Sequence, residues 1–445
     1  HERQRTALFL RRDPFRRFMS CLVYTPREGY SASLRERLGD ILCKAFSGTV
    51  SAAYTQVGDE PLARIHFIIK TDPEKEIAFD KDAVERDLVA AARSWADDLH
   101  NILIAAHGEG EGVSLYQRYG KAFPVAYHDT FSASQGAHDT DKAEEVRARG
   151  CPAFHLYRRQ GDDAGEMRLK IYQPGLPLPL SDALPMLENM GLKVIEEIPF
   201  EITPRESGTV WIHDFGVERR VETIGAKQDF TRLKELFEDC LARVQAGTVE
   251  SDGFNQLVLA EGMGWRDIIV LRAYSKYLRQ ARAPFSQDYI METFIKNPGF
   301  ARRVTELFAA KFDPENRKNA NARVTALKQS YEDALENVSS LDEDRILRRF
   351  LNLVLASLRT NHYQKDEHGA NKPYLSIKLA STDIDALPLP RPWREIWVYS
   401  PRMEGIHLRG GRVARGGIRW SDRREDFRTE ILGLMKAQTV KNPVI

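Results

Sequence analysis

Two arginines, two glycines and a lysine close to the end of the chain are the residues best suited to chemistry. Arg415 and Arg419 flank Gly416-Gly417 within Arg412–Ile445 (RVARGGIRWSDRREDFRTEILGLMKAQTVKNPVI). Two positions without side chains let backbone N–H groups approach a ligand closely. The helix expected from about Asp422 to Val440 then brings Lys436 and Lys441. Phe427, Ile431, Leu434, Met435 and Gln438 share one of its faces. At 100° per residue, Lys441 falls within about 40° of Phe427, and Lys436 falls opposite. A lysine at the end of a buried stripe needs an anionic partner, and a bound carboxylate would serve. The alternative is a lysine that reaches water or meets a helix-end carbonyl.

Other polar clusters point to ordinary surface. Asp97, Asp98 and His100 read as a solvated helix face, because adjacent helical positions do not face one another. His362 and His368 flank a polar loop without a third ligand. Arg423-Arg424-Glu425-Asp426 puts its acidic pair at a positive helix N-terminus. Gly108–Gly112 (GEGEG) lacks the GxGxxG spacing, follows a helix, and carries two glutamates that would repel phosphate, so it reads as a loop. Cys21, Cys43, Cys151 and Cys240 form no CxxC pair, and neither a zinc site nor a disulfide framework is expected. Cys43 and Cys240 fall on apolar helical stripes.

The elements that must position this chemistry are spread over several domains. The chain has 445 residues, which is too long for one core. Apolar residues make up 42% and charged residues 29%, a mix that buries cores. A net charge of +1 gives no electrostatic reason to expect nucleic acid or an anionic membrane as partner. No apolar run approaches the ~18–20 residues that span a bilayer, and no signal peptide is visible at the start, so a cytoplasmic location is expected.

Five segments follow from the periodicity. Residues 1–73 read as a β-α-β-β module: strand Arg17–Thr25, helix Ser31–Phe46 ended by Ser47-Gly48 with glycine left-handed, then strands Val50–Val57 and Ala63–Thr71. Residues 74–150 form a helical connector. Residues 151–221 read as a second module in the order β-β-α-β-β, with Ser181 as N-cap of a short helix that Gly191 ends. Residues 222–362 form a helical bundle, with stripes at Phe230–Val244, Trp265–Leu278, Tyr289–Ile295, Val304–Phe312 and Leu341–Leu358. Residues 363–445 return to strands (Tyr374–Leu379, Trp393–Tyr399, Gly405–Leu408), then a glycine-rich turn and the helix. The fold class is α+β multidomain: two small ferredoxin-like open sheets, helical segments, and the beginning of an α/β domain. Pro443-Val444-Ile445 reads as the apolar start of a further strand.

The last segment resembles the substrate-binding part of glutamate dehydrogenases. In that family Lys-Gly-Gly-hydrophobic-Arg precedes a helix ending in Lys-Asn or Lys-Cys. Arg415-Gly416-Gly417-Ile418-Arg419 and Gln438-Thr439-Val440-Lys441-Asn442 match these elements. The wording is close to that of the large bacterial NAD-specific type, as are Arg11-Arg12-Asp13-Pro14-Phe15 and Val398-Tyr399-Ser400-Pro401. The resemblance implies that Lys441 binds the substrate α-carboxylate, with Gln438 as a nearby polar contact. Arg415 stands where the family has a lysine that meets the side-chain carboxylate, and a planar fork can do that work. Arg419 matches too, but bracing the turn is an equal alternative. The same resemblance places the catalytic lysine and the NAD-binding Rossmann domain after Ile445. No catalytic residue, bound NAD or metal is therefore expected in these residues, which should be inactive alone.

The reaction implied is oxidative deamination of L-glutamate to 2-oxoglutarate and ammonium, in a homo-oligomer. The two small modules resemble the ACT domains of this type, which bind amino-acid effectors. Pro26–Ser33 (PREGYSAS) is the better ligand loop, whereas the proline-rich Tyr172–Ser181 suits a structural role. The competing function is a non-catalytic, amino-acid-sensing ACT-type module on a helical scaffold. That reading explains residues 1–360 equally well, but not the pairing of RGGIR with QTVKN.

Overall fold

A computed structural model describes residues 6–58, 60–75, 77–159, 166–220, 229–316, 318–412, 416–421 and 427–441. They fall into two units: 1–144 with 201–209, and 145–200 with 210–445.

The first unit opens with β1 (Ala7–Arg12), β2 (Phe18–Pro26), α1 (Ala32–Ala45), β3 (Thr49–Gln56), β4 (Leu62–Lys70) and α2 (Lys81–Ala92). The sheet order is β1-β2-β4-β3, all antiparallel. Alternation makes one face of it: Met19, Cys21, Val23, Ile65, Phe67 and Ile69 are buried against Leu34, Leu38, Leu42, Phe46, Val84 and Leu88 of the helices. β1 is an addition to the expected β-α-β-β pattern. Its run ALFLRR is too short and too charged at one end to announce itself by alternation. Moving β1 to the end of the module gives β-α-β-β-α-β with the antiparallel order 4-1-3-2. The module is thus a circular permutant of the ferredoxin-like unit.

The turn after α1 also differs from expectation. Ser47, not Gly48, takes positive φ (47°). Gly48 is needed for another reason: a Cβ there would stand 2.4 Å from the Lys70 carbonyl oxygen.

α3 (Trp95–Tyr119), α4 (Val125–Thr130) and α5 (Ala133–Arg149) follow. The GEGEG segment, expected as a loop, is helical except at Gly108 (φ 80°, ψ 171°). There the chain doubles back. A Cβ at Gly112 would meet the Ile104 backbone at 2.6 Å, and His100 packs on Tyr116 with ring centroids 4.5 Å apart. α3 is therefore a helical hairpin whose reversal only glycine permits without strain. Asp97 and Ser94 form a capping box at its start.

The second unit begins with the same topology. β5 (Ala153–Tyr157), β6 (Glu166–Pro174), α6 (Leu180–Asn189), β7 (Leu192–Ile202), β8 (Val210–Arg219) and α7 (Phe230–Gln245) give the sheet β5-β6-β8-β7. Leu180 starts α6 behind Pro179, which makes no side-chain cap, so Ser181 is not the N-cap. Gly191 does end this helix, with φ 85°.

The bundle comprises α8 (Leu257–Glu261), α9 (Trp265–Gln280), α10 (Gln287–Lys296), α11 (Pro298–Phe312), α12 (Ala320–Leu335) and α13 (Leu341–Ala356). α9 is its axis: Ile268 through Leu278 are all buried, charged residues included. A helix buried all round belongs inside a core rather than at its rim. The chain then forms a five-stranded antiparallel meander, β9 (Ser357–Thr360), β10 (Leu375–Leu379), β11 (Arg394–Tyr399), β12 (Glu404–Arg409) and β13 (Gly416–Ser421), and ends in α14 (Phe427–Lys441). Leu375, Ile377, Leu379, Trp397, Tyr399, Ile406 and Leu408 point from the meander into the core shared with the helices.

Candidate functional site

The glycine pair lies in a strand, not in the expected turn. β13 pairs with β12 so that Gly416 faces Arg409 and Gly417 faces Leu408. An arginine-rich, glycine-led run hides a strand, because its ladder partner supplies what side-chain alternation does not. Gly417 has a packing role as well. A Cβ there would stand 3.1 Å from Ile431 Cγ2 of α14. The missing side chain lets the helix lie close on the strand, and this brings the two motif-bearing elements together.

Arg415 lies outside the described residues. Gln438 and Lys441 belong to α14, but their side chains also lie outside the described part. Arg419 projects from β13 and forms an ion pair with Glu430 of α14, with both side chains partly exposed. It ties strand to helix. Lys436 is exposed.

The buried stripe of α14 is Phe427, Arg428, Ile431 and Met435. Leu434 was expected on it but is 57% exposed. The helix is rolled toward Arg428, and a buried cation explains the roll. Arg428 Nε donates to Glu395 Oε2 of β11 at 3.0 Å, and its second nitrogen pairs with Glu395 Oε1. The Tyr277 hydroxyl of α9 donates to the same Oε2 at 2.9 Å. Burial opposes the charge on Arg428, but the hydrogen bonds and charge of Glu395 outweigh it and hold the guanidinium above its ordinary pKa. Beside it, Arg279 pairs with Glu404 at 2.7 Å. Burial raises the Glu404 pKa and the Arg279 charge opposes that rise.

Neither Arg428 nor Glu395 is prominent in the sequence. The available signal was the position of Arg428, directly beside Phe427 at the start of an apolar stripe. The far face of the meander is open and apolar: Ile396, Val398, His407 and Ile418 line a cavity of about 460 Å³.

The loops considered for effectors are occupied by their own contacts. In the first module Ser31 Oγ accepts the Leu34 N–H at 3.1 Å, Tyr30 donates to Thr55 at 3.2 Å, and Arg27 donates to the Gly58 carbonyl at 3.0 Å. In the second, His213 Nε2 accepts the Leu178 N–H at 3.0 Å while Nδ1 meets Glu197 at 2.8 Å. His362, expected on a surface loop, is buried, with its ring edge-on to Phe308 at 5.5 Å. Its pKa is lowered to about 3 by burial and then by the charges of Arg266 and Lys365. Cys240 is buried and its thiol is pushed up to about 12 by burial. Among the described residues, no group of three side chains could hold a metal ion, and no helix is long and apolar enough to cross a membrane.

Comparisons with known proteins agree along the length of the chain. Residues 330–445 match the family model of the catalytic domain of bacterial NAD-glutamate dehydrogenase. Residues 7–96 and 152–230 match the glutamate dehydrogenase ACT2 and ACT3 domains. Residues 102–146 and 249–314 match its helical motifs 2 and 3. The NAD-specific glutamate dehydrogenase of Halomonas elongata is 42% identical over all of this chain, which spans 27% of that protein. Those of Pseudomonas aeruginosa and Mycobacterium tuberculosis are each 39% identical, with 27% and 28% of their lengths spanned. The chain thus spans about a quarter of the curated relatives it matches.

Proposed function

This chain belongs to the bacterial NAD-glutamate dehydrogenase family, and from that premise we propose that its β13–α14 unit binds the two carboxylates of L-glutamate in a protein of the relatives' length. The observation that supports this is the close seating of α14 on β13 at Gly417. It puts Gly416–Arg419 and the helix bearing Gln438 and Lys441 on adjoining elements. Lys441 takes the α-carboxylate, with Gln438 beside it. Arg415 takes the side-chain carboxylate, where a guanidinium can engage both oxygens at once. The backbone of Gly416 and Gly417 admits the substrate close to the strand. Arg419, already paired with Glu430, braces strand against helix.

The overall reaction is oxidative deamination: L-glutamate, NAD⁺ and water give 2-oxoglutarate, ammonium, NADH and a proton. NAD supplies the hydride acceptor when bound. All described strand pairs here are antiparallel, and a dinucleotide fold needs parallel βαβ units. The described residues do not fit NAD, so their part is to bind and orient the dicarboxylate. In this reading, residues 1–73 and 151–221 act as regulatory modules, 74–150 and 222–362 as the helical frame, and 363–445 as the opening of the substrate domain of a cytoplasmic homo-oligomer.

Binding to a full-length protein containing this chain tests the assignment. Glutarate, with two carboxylates, should compete with L-glutamate, and butyrate, with one, should not. Equal competition by both would remove the two-carboxylate reading.

A further inference from the structure

Carboxylate binding has no direct need for the buried cluster at the other end of α14. Arg428 is the second residue of that helix and is 3% exposed, and Glu395 of β11 is fully buried. Three elements meet at this point. α14 supplies the guanidinium, β11 the carboxylate, and α9 the hydroxyl of Tyr277. A second set of bonds runs alongside. The Arg428 backbone N–H donates to Gln280 Oε1 at 3.4 Å, and Gln280 Nε2 donates to Glu404 at 3.5 Å. Next to Arg428, Phe427 lies parallel to Trp397 (interplanar angle 13°), and Trp397 Nε1 donates to the Ala273 carbonyl of α9 at 2.9 Å.

Stability does not account for this arrangement. Apolar groups of the same volume would serve as well as a buried ion pair, or better by about 1–4 kcal/mol. What a planar fork adds is direction, since two parallel N–H···O bonds accept only one orientation. A ring stack alone would let α14 roll about its axis. The bidentate pair opposes that roll, and Tyr277 ties the carboxylate to the axis helix of the bundle. The same fixed fork opposes a tilt of α14 pivoting at Arg428, which would displace the helix by ångströms about 20 Å farther along, where position 441 lies.

Resting on the reading that α14 carries substrate ligands, we propose that Arg428, Glu395 and Tyr277 are positioning residues that set the orientation of α14, and that through them α9 sets the affinity for the dicarboxylate. α9 also pairs with the segment that follows the second module. Arg272 grips Asp252 with two bonds of 2.7 Å, and Lys276 meets Glu250 at 2.8 Å. One continuous helix thus contacts both that segment and the cluster that holds α14.

The test uses the full-length protein with Arg428→Lys and Tyr277→Phe. KM and kcat for L-glutamate, KM for NAD⁺, and Kd for non-reacting glutarate are measured together. Arg428→Lys keeps the charge and loses the fork. It should raise KM for glutamate and Kd for glutarate by the same factor, about tenfold, with kcat and KM for NAD⁺ within about twofold. Tyr277→Phe keeps the ion pair and should move the same two constants by about threefold. It is the deciding variant if Arg428→Lys does not fold. Lower unfolding temperatures with unchanged glutarate affinity would overturn the proposal and leave a merely structural cluster. A wild-type protein that neither oxidises glutamate nor binds glutarate would instead overturn the reading on which the proposal rests.

Discussion

The carboxylate of Glu238 on α7 accepts the backbone N–H of Leu156 in edge strand β5 at 2.7 Å. Glu85 on α2 does the same for Leu8 in edge strand β1 at 3.4 Å. Each module thus caps its permuted edge strand with a glutamate from the helix that follows the sheet. An unpaired strand N–H is a liability that this bond removes. Glu238→Leu should cost about 1–2 kcal/mol in denaturant unfolding and promote self-association seen by light scattering. Glu238→Gln, which still accepts the N–H, should stay close to wild type.

Asp214 is fully buried and holds Arg168 with bonds of 2.8 and 2.7 Å, together with the Tyr157 hydroxyl at 2.8 Å. Asp214→Asn leaves a buried guanidinium without its counter-charge. A loss of about 3–5 kcal/mol is expected in urea unfolding. Loss below about 1 kcal/mol would show that Glu196, which also meets Arg168 at 2.6 Å, carries the charge balance.

Acid should act through His362. Its pKa is about 3 in the folded chain against an ordinary value of 6.5. The unfolded chain therefore binds the proton first. This contribution is intact above about pH 6.5 and declines as pH falls toward 3, by up to about 1.4 kcal/mol per unit. Chemical denaturation at pH 7 and pH 5 should show a steeper loss for wild type than for His362→Phe.

Gly417→Val should press on Ile431, because even a Cβ would stand 3.1 Å from its Cγ2. Overpacking of this kind costs about 1–3 kcal/mol. Ile431→Ala in the same chain should recover part of it, so that the two changes are non-additive in a double-mutant cycle. Additive losses would show that strand and helix do not meet there.

Much of this was legible from periodicity. The stripe Phe230–Val244 gave α7, because one-sided burial writes itself at intervals of three and four; Trp265–Leu278 gave the position of α9 but not its burial on every side. The permuted strand β1 was not legible: six residues with two terminal arginines carry too little alternation. Gly416–Ser421 read as a turn because its strand character lies in the partner β12 and not in its own side chains. His362 read as surface because its polar neighbours hide a ring packed on Phe308. The motif residues Arg415, Gly416, Gly417, Gln438 and Lys441 stood out by type and spacing. Arg428 and Glu395 did not, since a buried pair between positions 33 residues apart has no local signature.

The most direct measurement is glutamate-dependent NADH formation by a full-length protein containing this chain, compared with Lys441→Ala and Arg415→Ala. The account predicts an active wild type and losses of at least about a hundredfold in kcat/KM for glutamate in each variant. A folded wild-type protein that forms no NADH from L-glutamate would contradict it and leave the ACT-type modules as the functional part.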